Sequence, residues 1–382
     1  MNTALLGEVA SINPRADAVA PDSDVSFVGM AELDATAAAA RQLETRKFSD
    51  VSKGYTVFRN GDVLAAKITP CWENGKVGQA LLDHPIGVGS TEFHVLRPGP
   101  ELDDRYLLHF LRQPTVRRAG ELRMTGSAGQ KRVPPAFLQT LQVPLLPLPE
   151  QRRIAAILDH ADALRTKRRQ VLTHLDALAA AIYEATFGGT ELPVVQLGDI
   201  ATFFGGASLP TGQDFSGQTS GVLLMKVSDM NAVGNEQMIS STALWTGSNT
   251  PRSSTVEAGA VVLPKRGASI ATNKKRVTVR RTALDPNLMG IQPDPAMLTT
   301  PYLFAWFRSF DLTSITSGSA VPQLNKQDLA PLSIRLPPLR LQREFGSKLK
   351  QLASHATVCQ RTLAAADGLF ASLQSRAFRG EL

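Results

Sequence analysis

The sequence predicts a mixed α/β protein built as an internal repeat, two globular parts each followed by a long helix. Three observations carry this expectation. Shifting the chain by 191 residues lays "LGEVA" (6–10) on "LGDIA" (197–201), Leu148 on Leu339, Gln151-Arg152 on Gln342-Arg343 and Asp176 on Asp367. It also lays Leu158 on Leu349, Leu178 on Leu369, Phe187 on Phe378 and Gly189 on Gly380, and self-similarity at one shift marks duplicated architecture. The end of each copy spaces its apolar residues alternately by three and four, as a helix does that packs one stripe against a partner. Between these ends lie short alternating runs bounded by glycine, which read as strands.

Taken in order, "KGYTVFRNGDVLAAKI" (53–68) alternates like short strands with glycine turns, and "DDRYLLHFLRQPTVRR" (103–118) reads as a short amphipathic helix interrupted by Pro114. The first long helix opens at Pro149, where a missing N–H costs nothing, with Glu150 near the positive helix end. Its seam is Ile154, Ile157, Ala161, Leu164, Arg168, Val171, Leu175, Leu178 and Ile182, and Gly188-Gly189 supplies a stop. A helix over 150–186 would be ~55 Å long. Leu158 and Leu172 fall off this seam and are expected to leave apolar area for partner helices. Copy two repeats the plan. "GAVVLPKRGASIATNKKRVTVRR" (259–281) is strand-like, "TPYLFAWFRSF" (300–310) is helical, and "GSA" at 126 recurs at 318. Its seam is Phe345, Leu349, Leu352, Cys359, Leu363, Ala366, Leu369 and Leu373, with Phe370 and Ala377 off it.

With 382 residues, 43% hydrophobic and 20% charged, the chain has room for two or three domains with cores of their own. Cys71 and Cys359 form no CxxC pair, so neither a disulfide scaffold nor a zinc ribbon is expected, and a reducing cytoplasm fits. "MNTALLGEVASINPR" lacks the basic and apolar regions of a secretory signal, and no apolar run is long enough to span a bilayer.

The net charge is +7, but residues 1–142 and 190–333 are each close to neutral. A nucleic-acid surface there has to come from local clusters. Two stand out. From 258 to 284, Lys265, Arg266, Lys274, Lys275, Arg276, Arg280 and Arg281 occur with no acidic residue. From 112 to 132, Arg112, Arg117, Arg118, Arg123, Lys131 and Arg132 face only Glu121. A charge run is often a solvated face. Here "GASIATNKKR" and "MTGSAGQKR" intersperse Gly, Ser, Thr, Asn and Gln, the donors and acceptors that serve phosphates and base edges. Lys67, Gln130 and Asn273 complete the candidate DNA-binding set.

Catalytic signatures do not survive inspection. There is no GxxxxGK[ST] loop and no HExxH, and both Pro-Pro pairs lack the polar and aromatic flanks of an amino-methyltransferase tetrapeptide. "FFGGAS" (203–208) reads as a loop glycine pair, and His160 and His174 as solvated helix positions rather than metal ligands.

A variable globular part, the entry "VPLLPLPEQRRIAAILD", a long helix and "FGGTEL", all repeated to finish in "FRGEL", resembles over the whole chain the specificity subunits of Type I restriction–modification enzymes. Copy two departs from this at "LPPLRLQREF", with Leu341 before Gln342 where Glu150 precedes Gln151. The resemblance implies target recognition domains at 1–142 and 190–333, with helical spacers at 143–189 and 334–382. It implies a pseudo-twofold arrangement in which the helices form an antiparallel coiled coil. Each domain would read one half of a split sequence in double-stranded DNA. Methyltransferase subunits carrying S-adenosylmethionine would dock on the frame, and a motor-nuclease subunit using ATP and Mg would join for restriction in phage defence. This chain itself would hold no cofactor or metal and do no catalysis. Two rival readings are a single-chain modification enzyme and a repeat adaptor binding protein partners without DNA.

Overall fold

The computed structural model describes residues 2–127, 129–189, 191–316 and 322–382. The second "GSA", 318–320, lies outside them, as does Ala128 of the first. The fold is mixed α/β. Its main helices are α1 (Asp104–Leu111), α2 (Pro114–Glu121), α3 (Leu148–Phe187), α4 (Thr300–Ser309) and α5 (Leu339–Ala377). Two compact units result, Met1–Leu172 with Val358–Leu382, and Thr173–Thr357. Among the described residues no helix is long and apolar enough to cross a membrane.

Unit 1 holds a six-stranded sheet in the order Ala10–Ile12, Phe93–Pro98, Val63–Ala66, Val77–Leu81, Ala39–Arg41, Leu33–Asp34. Only Ala39–Arg41 beside Val77–Leu81 is a parallel pair in it. Unit 2 repeats five of these places, in the order Ala201–Gly205, Leu288–Pro293, Val261–Pro264, Arg276–Thr278, Met238–Ile239, again with the last pair parallel. The register repeats as well. Val63 opposes Gln79 and Leu96, as Val261 opposes Val277 and Ile291. A second mixed sheet of four strands in unit 1 and five in unit 2 completes each unit.

Each long helix is anchored in the same way. Thr3 pairs with Pro144 and Val194 with Arg335, both at the 191-residue shift. Beyond these strands comes a buried glutamine. Gln151 accepts from the Asp103 N–H (2.9 Å) and donates to the Glu101 and Leu146 carbonyls (2.8 and 2.7 Å). Gln342 accepts from the Thr299 N–H (2.8 Å) and donates to the Met297 and Pro337 carbonyls (3.0 and 2.8 Å). Each glutamine thus ties a helix start to the segment that leads into α1 or α4. The hydroxyls of Tyr106 and Tyr302 donate to the Pro144 and Arg335 carbonyls, closing the same corner from the other side. Pro114 does not kink one helix. It opens α2 at a first-turn position after α1 has ended.

The buried stripe of the long helices differs from the predicted seam. In unit 1, Ile154, Leu158, Phe370 and Ala377 belong to the same core as Tyr106 and Phe110. Leu158 and Ala377 are completely buried, so they, with Phe370, are core residues and not free area for partners. Leu172 is half-buried. Conversely, the seam positions Leu164, Leu178 and Leu369 are 49%, 45% and 59% exposed, and Ile157 is half-buried. Where α3 meets the end of α5 in unit 1, the seam is replaced by charge. Arg165 bonds Asp162 (2.8 Å) and Asp367 (2.6 Å) while lying over the Phe370 ring. A strict heptad suits two helices that meet only each other. Here one side of each also packs on a globular unit, and the stripe shifts toward it. In unit 2, Phe345 is buried against Phe187 and Tyr183, with Ile182 and Leu349 packed alongside. Leu175, Leu352, Leu363 and Leu373 are half-buried, and Leu373 packs on the core of unit 1.

Candidate nucleic-acid interface

In unit 1 the candidate cations separate into exposed and engaged groups. The buried side of α2 is Val116 and Gly120. A Cβ on Gly120 would stand 2.3 Å from the Trp72 ring, whose indole N–H donates to the Arg117 carbonyl (2.8 Å). This close seat turns Arg117 and Arg118 outward, and both are exposed. Arg123 is exposed, with its guanidinium 5.5 Å from the Phe137 ring centroid. Gln130 and Lys131 are exposed on a loop closed by reciprocal backbone bonds between Thr125 and Arg132. Arg112 and Arg132 are engaged. Arg112 bonds Asp162 (2.6 Å) and the Ala35 carbonyl (3.0 Å). Arg132 grips both oxygens of Glu92, whose carboxyl it holds below the ordinary range. Arg132 thus belongs with the internal ion pairs rather than with the free surface charges.

The second cluster is more fully engaged within its own unit. Although free of acid in sequence, it is not a solvated cationic face. Lys275 is 5% exposed, and its ammonium donates to the Asn273 side-chain oxygen (2.7 Å) and the Phe310 carbonyl (2.6 Å). Asn273, in the left-handed region at φ 53°, also accepts from the Leu312 N–H (3.0 Å) and so holds this corner. Arg276 donates to the Lys275 and Met230 carbonyls, and Arg280 to those of Gln218 and Gly221. Arg281 lies 3.4 Å from Glu257, the residue just before the acid-free stretch. Lys274 bonds the Asn231 side chain and lines a cleft of about 330 Å³ with Arg276, Arg308, Asp176 and Glu236. Arg266 is exposed and Lys265 half-buried, and neither side chain has a hydrogen-bond or ion-pair partner among the described residues. Sequence reasoning missed Arg308, which stands alone in its helix, and the two acids of the cleft, which come from distant segments.

Burial pushes the Lys275 ammonium down to about 8 from 10.5, with Asp311 partly opposing. Between these values the unfolded chain binds more protons than the folded one, so stability rises with pH across that window. Unit 2 is therefore expected to gain stability from about pH 8 to about pH 10, and Lys275→Met to remove that gain. Urea titrations of both proteins at the two pH values check this, and parallel pH profiles would refute it.

Residues 5–174 match the family model for the Type I restriction modification DNA specificity domain. Over 178 residues the chain is 42% identical to the Type I restriction enzyme EcoAI specificity subunit of Escherichia coli, and over 175 residues 42% identical to the EcoEI specificity subunit. Each match covers 45% of this chain and 30% of the relative's own length. Among solved structures, the Type-I restriction-modification system S subunit from M. genitalium gives a TM-score of 0.60 at 13% identity, covering 99% of this chain and 96% of that one. A chain solved in work on complex assembly and conformational transition of the type I R-M system gives 0.58 at 20% identity, covering 100% and 98%. At these identities the structural likeness is one of fold. Over residues 5–174, then, the chain is similar to Type I restriction modification DNA specificity domains, and it spans less than a third of the length of these curated relatives.

Proposed function

We propose that the chain is the DNA sequence-recognition subunit of a Type I restriction–modification complex. Each unit reads one half-site of a bipartite target, and the chain scaffolds methyltransferase subunits. The observation that carries this reading is the repeated framework: a family domain over 5–174 and, in unit 2, the same sheet order, register and glutamine anchor. The chain contributes the address and not the chemistry. S-adenosylmethionine belongs to the methyltransferase subunit, and ATP and Mg to a motor-nuclease subunit where one joins. The exposed Leu164, Val171 and Leu178, spaced by seven, support docking of a partner protein along α3. Methylation mapping in cells carrying this chain with a Type I methyltransferase subunit tests the reading. A split motif that disappears with the chain is expected, and a motif indifferent to it would leave the adaptor reading.

In this proposal α3 and α5 form the antiparallel frame that spaces the half-sites. One heptad inserted in each helix adds ~10 Å and keeps the packed faces in phase. The unread spacer is expected to grow by about three base pairs at most, at ~3.4 Å per step, with both half-sites unchanged. The added step also rotates one half-site around the duplex, so affinity should fall as DNA bends or twists to compensate. Inserting three or four residues should instead impair assembly. An unchanged spacer at full activity refutes the frame.

A further inference from the structure

We propose that Lys67 and Lys265 are the phosphate anchors common to the two units, one lysine in the same backbone junction of each copy, touching the DNA backbone whatever bases are read. The inference rests on the recognition reading above. The two residues follow equivalent strands, Val63–Ala66 and Val261–Pro264. Their N–H groups donate to the Glu92 and Asn287 carbonyls (2.9 and 2.7 Å), and their carbonyls accept from Val133 and Leu324 (2.8 and 2.9 Å). The next residues, Ile68 and Arg266, bridge to Arg132 and Gln323. Two positions on, the N–H groups of Thr69 and Gly267 donate to the Lys131 and Pro322 carbonyls (2.9 and 2.8 Å).

Side chains around this shared backbone have diverged. Thr69 faces Gly267 in the comparison, Lys131 faces Pro322, and the ion pair Glu92–Arg132 is replaced by uncharged Asn287 and Gln323. Each of these last two pairs sums to no charge, so what persists in both junctions is the lysine. Both are half-buried, and among the described residues neither ammonium has a hydrogen-bond or ion-pair partner, although the charge of Lys67 helps to hold the Glu92 carboxyl down after Arg132. A second repeated pair marks the contrast. Lys76 and Lys274, equivalent in register, spend their ammonium groups on the Met30 carbonyl and the Asn231 side chain. Those lysines hold the fold, whereas Lys67 and Lys265 do not. Base contacts must differ between two domains that read different half-sites, while phosphate contacts carry no sequence information and can stay the same.

The test uses the full chain assembled with its methyltransferase subunits on duplexes carrying its methylated motif. Lys67→Gln and Lys265→Gln are each expected to reduce the slope of log affinity against log salt by ~0.9, and the double variant by ~1.8, with the methylated motif unchanged. Lys→Arg at either site should keep the slope. Lys→Met retains the packing stem and replaces any glutamine variant with lowered thermal stability. Unchanged slopes in stable variants overturn the anchors, and so does an altered motif, which would make the lysines base readers. Absence of any sequence preference in the wild-type complex would instead overturn the recognition reading itself.

Discussion

Replacing Gln342 by alanine is expected to destabilise unit 2 by about 3 kcal/mol, and Gln151→Ala to do the same to unit 1. Each glutamine is fully buried and satisfies three backbone groups. Truncation strands one N–H and two carbonyls, at about 1–3 kcal/mol for each that water cannot reach. The neighbouring Arg152 is exposed, so Arg152→Ala should cost no more than about 0.5 kcal/mol. Glutamate at either glutamine position is a sharper probe. It keeps the acceptor but turns a carboxylate toward two carbonyls, which raises its pKa in the folded state. The variant should therefore be least stable at neutral pH and recover as pH falls and the acid protonates. Hydrogen exchange read unit by unit during denaturant titration separates the two anchors. Equal protection in wild type and Gln→Ala would show that the repeated phrase has another purpose.

Neutralising Arg117, Arg118 and Lys131 together is expected to give the largest loss of DNA affinity available from unit 1. All three are exposed, and none is held in an ion pair among the described residues. If all three meet phosphates, the salt slope should fall by up to ~2.7. The contrasting set is Lys275 and Arg276, whose donors already serve carbonyls of their own unit. Changing them should lower the stability of unit 2, with any loss of binding following from that. Salt titrations of the assembled complex, beside thermal unfolding of the same proteins, distinguish surface cations from internal ones. Full affinity and slope in the Arg117/Arg118/Lys131 variant would move the interface of unit 1 elsewhere.

Several features were legible because they depend on local chemistry or on comparing the chain with itself. The 191-residue shift located pairs that share a structural duty: Gln151 with Gln342, and the strands that open each copy. The spacing of apolar residues located both long helices, and Pro114 marked a helix boundary because its ring can be accommodated only at a helix start. The equivalence of the two junction lysines was legible too, since "NGDVLAAK" (60–67) echoes "AGAVVLPK" (258–265) although the shift there drifts to 198. The strand register agrees with it, and the tertiary structure added the matching backbone junction around each lysine.

Tertiary structure alone decided which charges remain available. A stretch without acids looks cationic in sequence, yet folding brings Glu236, Asp311 and Asp176 near its lysines and arginines and supplies backbone carbonyls to three of its cationic side chains, Lys275, Arg276 and Arg280. It also decided the buried face of the helices. Leu158 and Leu164 are the same residue type six positions apart on α3, one sealed in a core and the other half in solvent. The sequence determined that these helices would each bury a stripe, because an apolar run that long cannot remain in water unpartnered. Which stripe was settled by the globular unit that packs beside it, a contact among segments far apart in the chain.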